Sequence, residues 1–293
     1  MNLLKKKNAV PNLFLVGGPK CGTTAFVHML KQHSNIKWAS HKEIDYFCKD
    51  IKILHKLSKA KNITEYLNKY FNFKKKNYQY IGEGSPFYLY SRVAVKNILR
   101  FNPKSKFIVL IRNPVSMSYT LHNMLSFAGQ EPESNFMNAW NLQSKRLKSK
   151  PEDKLYNKYN ELFQYKKICS LGSQLIRIKK IIPKENLLIL SYKELQNNYK
   201  KVLKKTFIFL NINYQHINSK VVNKSTKINN ELIQKILSSN FSKNLRNKIA
   251  KTLNVKSLGI GRPMKPIDKK TKRFLLNEFK TEIKILKKNK IIL

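Results

Sequence analysis

Residues 12–18, NLFLVGG, form a compact apolar run that stops at two glycines. The chain then passes directly into a helical pattern, with Phe26, Val27 and Leu30 recurring at helical spacing between Thr23 and Gln32. A strand that hands over to a helix through a glycine-rich turn leaves few architectures, because the helix is a crossover and the next strand returns parallel to the first. The alternation continues. NIKWAS (35–40) reads as a second strand and residues 51–72 as one lysine-rich amphipathic helical stretch. YQYIGEG (78–84) is strand-like, and Pro86 begins a helix running to about Arg100. FIVLI, inside SKFIVLIRNP (105–114), is continuously apolar as a buried parallel strand should be, and Pro114 opens the next helix. Helical patterns at 134–149 and 166–182, a strand in ENLLILSY (185–192), a helix over 194–210 and an amphipathic helix from Asp268 to Lys288 complete the pass. The expectation is an α/β chain with a parallel, doubly wound sheet and helices on both faces. Ligands of such sheets bind beyond the carboxyl ends of the strands. On this reading Lys20 follows the first strand, Glu43 the second and Glu83 the third, with Arg112 ending FIVLI, so that four charges meet at one sheet edge.

Charge and cysteine usage bound the function more loosely. The 293 residues carry 59 Lys+Arg against 16 Asp+Glu, a formal +43, a field that attracts nucleotides, acidic glycans, anionic membrane surfaces and nucleic acid alike. The lysines are spread over plain helix faces and surface loops such as 73–77 and 145–154, so compositional drift explains the excess equally well. No helix-turn-helix, zinc or RNA-binding signature accompanies the charge, and no nucleic-acid partner is expected. No apolar run approaches the ~18 residues of a membrane span. Cys21, Cys48 and Cys169 are isolated, with no C-x-x-C pair, which suggests reduced thiols and a cytoplasmic setting and argues against a zinc site.

LVGGPKCGTTAF (15–26) is close to a triphosphate-binding loop, G-x-x-x-x-G-K-S/T. Gly17 and Gly22 keep the spacing, but Thr23 stands where the lysine belongs and Lys20 lies inside the loop. Backbone N–H groups in such a turn, feeding a helix N-terminus, make an anion site. Magnesium is usually held by an aspartate ending a second apolar strand. Here that strand ends in LIRNP, with Arg112 at the corresponding place. An arginine cannot hold magnesium but can bind a second phosphate, so the anion is gripped at two places by positive groups.

These segments resemble the sulfotransferases that use 3′-phosphoadenosine 5′-phosphosulfate (PAPS). PKCGTTAF resembles their 5′-phosphosulfate loop. FIVLIRNPVSMSYT resembles their 3′-phosphate segment, including a hydroxyl residue eight positions after the arginine. KEIDYF (42–47) is similar to the K/E-E-x-x-F-F segment of the heparan-sulfate type, GEGSPFYLYS (82–91) to E-K-S/T-P-x-Y, NLLILSYKEL (186–195) to a late strand and turn, and LGIGRPMKPID (258–268) to the nucleotide-covering loop. The resemblance implies one P-loop-like sulfotransferase domain over 1–293, with its core at about 11–285. It implies that Lys20, Cys21, Gly22, Thr23, Thr24 and Ala25 hold the 5′-phosphosulfate, that Arg112 and Thr120 hold the 3′-phosphate, and that Gly261 and Arg262 close over the adenosine. Glu43 is the implied general base, with Lys42 beside it, and Lys20 the catalytic cation at the bridging oxygen. PAPS is then the donor, 3′-phosphoadenosine 5′-phosphate (PAP) the product, and no metal is needed. The implied acceptor is a hydroxyl or amine of a carbohydrate or glycolipid. The positive charge favours an anionic one and leaves peripheral contact with an anionic membrane open.

This sequence departs from the family pattern in places. Thr120 replaces a serine, Met117 stands where arginine is common, Gly84 where animal glycan sulfotransferases carry lysine, and Ile260 where the covering loop has its lysine, for which Lys256 is a substitute. His41 and His122 are rival bases, since small-molecule sulfotransferases use histidine. Glu83 reads as structural, orienting the phosphosulfate loop, and Trp38 and Trp140 as core residues before sugar-stacking ones. A P-loop kinase or NTPase and a non-catalytic polyanion binder remain the alternatives.

Overall fold

The computed structural model describes residues 9–73, 78–218 and 266–293. Among the described residues five strands, β1 (Leu13–Gly17), β2 (Ile36–Trp38), β3 (Tyr80–Gly84), β4 (Lys106–Ile111) and β5 (Leu187–Ser191), pair in the order β2-β3-β1-β4-β5. All four pairings are parallel, and helices surround the sheet, as the alternating pattern requires. Leu13 to Val16 of β1 and Phe107 to Ile111 of β4 are fully buried, because central strands of a helix-covered sheet touch solvent on neither face. Each such Leu, Val or Phe contributes about 1.5–3 kcal/mol of burial. From β1 the chain crosses to the edge at β2, returns to β3 beside β1, and then passes to β4 on the other side. That reversal opens a crevice beyond the carboxyl ends of β1 and β4.

The helices are α1 (Thr23–Leu30), α2 (Lys52–Leu57), α3 (Ile63–Tyr70), α4 (Ala94–Phe101), α5 (Pro114–Phe127), α6 (Phe136–Lys148), α7 (Tyr165–Cys169), α8 (Leu171–Lys179), α9 (Tyr192–Asn197), α10 (Tyr199–Leu210), α11 (Lys269–Glu278) and α12 (Lys280–Lys288). Five of the expected helices are interrupted, each by local chemistry. The 51–72 stretch becomes α2 and α3 because Asn62 caps the second, accepting the Glu65 N–H at 2.9 Å. Pro86 opens only a 3₁₀ turn, Pro86–Tyr88, and helix resumes at α4, whose Ala94 N–H is capped by Ser91 Oγ at 3.0 Å. The 166–182 pattern breaks at Ser170, and 194–210 breaks at Asn198, whose side chain accepts the Lys201 N–H at 3.0 Å. The last helix divides at Phe279, a buried ring packed on Trp140.

Trp140 therefore belongs to the core. So does Trp38, which covers Gly82 so closely that a Cβ there would lie 2.2 Å from the indole. Beside the sheet, α5, α6 and α7 enclose a buried ion pair. Arg146 Nη1 and Nη2 donate to Glu131 Oε2 and Oε1 at 2.7 and 2.8 Å. The Tyr165 hydroxyl also donates to Glu131, and the guanidinium lies over Phe163. No helix among the described residues is long and apolar enough to cross a membrane.

Candidate active site

The β1–α1 loop is bent by two left-handed residues, Lys20 (φ 61°) and Gly22 (φ 82°). The turn aims the N-terminus of α1 back at the crevice, and no side chain caps that helix. The N–H groups of Thr23, Thr24 and Ala25 have no partner within the helix, which is how a helix start receives an anion. Gly22 is required twice over. Its φ suits glycine, and a Cβ would meet the Tyr192 ring at 2.8 Å. Gly22→Ala is expected to cost at least about 1–2 kcal/mol of stability, from the left-handed backbone alone, as read by urea denaturation. Cys21 faces inward. Its thiol packs on the Pro19 carbonyl and the Met117 sulfur, its N–H donates to the Gly18 carbonyl at 3.2 Å, and burial pushes its pKa up to about 12. Met117 is thus the apolar floor of the loop.

Arg112 crosses to this loop from the end of β4. Its Nη1 donates to the Lys20 carbonyl at 2.9 Å and its Nε to Ser116 Oγ at 3.1 Å, while its guanidinium lies 4.8 Å from the centre of the Tyr192 ring. Tyr192, the first residue after β5, therefore joins Arg112 and Gly22 into one wall. Neither Ser116 nor Tyr192 was singled out by sequence. Their signals were present in RNPVS, one helical turn beyond the arginine, and in SYKEL after the last strand. Thr120 lies one turn further along α5, where its hydroxyl donates to the Ser116 carbonyl at 2.6 Å. Gly261, Arg262, Lys256 and Ile260 lie outside the described residues.

Lys42 and Glu43 stand opposite, on the segment after β2, and form an ion pair. The charges converge on Lys20. Burial pushes the Lys20 pKa down, Glu43 pulls it up, and Arg112 and Lys42 push it down again. Lys20, Lys42, Glu43 and Arg112 thus share one electrostatic neighbourhood. The edge holds those residues but not Glu83, which lies within β3 rather than after it and is completely buried. Its carboxylate accepts hydroxyl donors from Tyr66 (2.7 Å), Ser85 (2.6 Å) and Tyr88 (3.1 Å), none of which belongs to the β1–α1 loop. Asp45, also missed by sequence, is buried two residues beyond Glu43. Burial, and then Glu43 and Glu83, hold its pKa well above the usual carboxylate range. At Gly84 a Cβ would pack tightly, 3.3 Å from the Trp38 ring and 3.4 Å from Val27.

The histidines separate. His41 is exposed on the same segment as Glu43, its Nδ1 3.0 Å from Ser40 Oγ. His122 is buried between Phe136 and Tyr165, 2.9 Å from the Glu133 carbonyl, and burial lowers its pKa.

The family model described as the sulfotransferase domain matches residues 10–259. A membrane-associated sulfotransferase of Dictyostelium discoideum, kil1, is 30% identical over 116 residues, a match that spans 39% of this chain and 23% of that protein. The crystal structure of a sulfotransferase from Alicyclobacillus acidocaldarius superposes with a TM-score of 0.61 at 19% identity, covering 84% of this chain and 92% of that one, and so shares the fold. With the family model spanning most of the chain over the loop and strand-end arginine described above, this protein belongs to the sulfotransferase family.

Proposed function

We propose that this enzyme takes its sulfuryl group from PAPS, passes it to a hydroxyl of a carbohydrate or glycolipid, and releases PAP. One observation carries the reading. Arg112 and Lys20 stand at the carboxyl ends of β4 and β1, joined by the 2.9 Å bond from the guanidinium to the Lys20 carbonyl, with an uncapped helix start between them. The fit rests on this chain's own chemistry. A loop whose glycine leaves no space for a Cβ, open N–H groups and cations on both sides suit a ligand with two separated anionic groups.

In this reading the N–H groups at the start of α1, with the Thr23 and Thr24 hydroxyls, hold the 5′-phosphosulfate. Arg112 holds the 3′-phosphate, and Thr120 joins it by turning its hydroxyl from the Ser116 carbonyl. The donor supplies a sulfuryl group activated as a mixed anhydride. Lys20 neutralises charge on the bridging oxygen, a contact stronger in the transition state than before it. Glu43, exposed at the mouth beside Lys42, takes the proton of the attacking hydroxyl.

Calorimetric titration with PAP tests the donor site. Tight binding that EDTA does not alter is expected, with Mg-ATP much weaker. Arg112→Ala is expected to raise the Kd for PAP about 10- to 100-fold, the cost of a lost charge-assisted contact. A preference for Mg-ATP, or an Arg112→Ala protein that binds PAP as before, would reject the reading.

A further inference from the structure

The segment that carries Glu43 is held in an unusual backbone conformation. Glu43 (φ 61°) and Asp45 (φ 56°) are both left-handed, two non-glycine residues within three positions. Each costs energy unless the surroundings impose it. What imposes it here is a set of three alternate N–H groups, reaching the last residue of β3 and the stretch just after it. Glu43 N–H donates to the Gly84 carbonyl at 2.9 Å, Asp45 N–H to Ser85 Oγ at 2.9 Å, and Phe47 N–H to the Tyr88 hydroxyl at 3.4 Å.

Two of these anchors end on the same carboxylate. Ser85 Oγ donates its only proton to Glu83 Oε1 at 2.6 Å, and the Tyr88 hydroxyl donates its own to Glu83 Oε2 at 3.1 Å. Each hydroxyl is therefore directed. It gives its proton to the buried Glu83 carboxyl, which leaves its oxygen to accept a backbone N–H from the Glu43 segment. A hydroxyl polarised by a carboxylate in a low-dielectric core is also a stronger acceptor. Glu83 and Ser85 are wholly buried, so neither touches an acceptor or the donor. A buried carboxylate is costly to keep, and the core could be filled more cheaply by an apolar residue.

We propose that Ser85, directed by Glu83, is a positioning residue for sulfuryl transfer: its hydroxyl locks the left-handed Asp45 backbone and so aims Glu43 at the acceptor oxygen. This deepens the proposed function and rests on Glu43 being the base. In the step it serves, the acceptor oxygen bonds to sulfur, the bond from sulfur to the bridging oxygen breaks, the proton passes to Glu43, and PAP leaves with the bridging oxygen.

The test uses the full chain and two readouts. Amide hydrogen exchange over residues 43–47 reports the lock without any ligand. Hydrolysis of PAPS to PAP and sulfate, with water standing in for the acceptor hydroxyl, reports the chemistry. Ser85→Ala is expected to speed exchange in the segment about ten-fold or more, while Ser85→Thr, which keeps the hydroxyl, stays closer to wild type. Tyr66→Phe is the control for a merely structural loss. It removes the third donor to Glu83 but keeps both directed hydroxyls, so exchange over 43–47 should match wild type even where global stability falls. Hydrolysis is expected to drop about ten-fold in Ser85→Ala, yet by less than about two-fold when the same change is made in Glu43→Gln. Unchanged exchange in Ser85→Ala, equal acceleration in Tyr66→Phe, or an equal loss of turnover in both backgrounds would overturn the proposal. If Glu43→Gln alone leaves hydrolysis intact, the base assignment is what fails, and the positioning of Glu43 for catalysis fails with it, whatever the exchange data show about the lock.

Discussion

Lys20→Ala is expected to slow sulfuryl transfer by about 10²–10³-fold, the range seen when one preorganised donor to a developing anion is removed. The effect on PAP affinity should be smaller, because Arg112 and the start of α1 still grip the two anionic ends. The difference follows from where Lys20 stands. In the proposed reaction its half-buried ammonium faces a charge that grows only as the bond to the bridging oxygen breaks. The same placement sets a pH signature. Burial lowers the Lys20 pKa, Glu43 raises it, and Arg112 and Lys42 lower it. The active form is protonated, so kcat/KM should fall on the alkaline side below the ordinary lysine range. Glu43→Gln removes the charge that raises the pKa and should move that limb to lower pH. A pH profile of PAPS hydrolysis on wild type, Lys20→Ala and Glu43→Gln reads both effects. A Lys20→Ala enzyme within about ten-fold of wild type would remove Lys20 from the chemistry.

The largest expected loss of stability lies elsewhere, in the ion pair under α5 and α6. Glu131→Ala should cost about 3–5 kcal/mol, because it leaves the Arg146 guanidinium buried with no counter-charge. The Tyr165 hydroxyl loses its acceptor in the same step. Replacing both partners together, Glu131→Leu with Arg146→Met, should cost less than the single change, since no orphaned charge remains. Urea denaturation of the two proteins gives the comparison. A single mutant as stable as wild type would mean that the pair contributes nothing.

The strand segments and the loop between the first strand and helix were legible because both leave local marks. Apolar runs of strand length, LFLVG and FIVLI, fall on β1 and β4 almost residue for residue. Helix boundaries were less legible. Asn62, Ser91 and Asn198 end or begin helices through side-chain bonds that apolar periodicity does not register. Placement of Lys20 and Arg112 together needed only the rule that parallel strands deliver their following residues to one edge.

What the sequence determined by itself was the parallel α/β sheet, the glycine-rich loop with Lys20 inside it, and the arginine at the end of β4, because each is written in neighbouring residues. What only the tertiary structure decided was direction. It turned Cys21 and His122 inward, buried Glu83 beneath three hydroxyls, and brought Tyr192 and Ser116 onto Arg112. Those outcomes depend on which side of a strand or helix a residue faces and on partners far along the chain, as in the contact of Cys21 with Met117, 96 positions away. Long-range pairing of that kind is settled by packing of the whole chain and leaves no mark on the residues beside it.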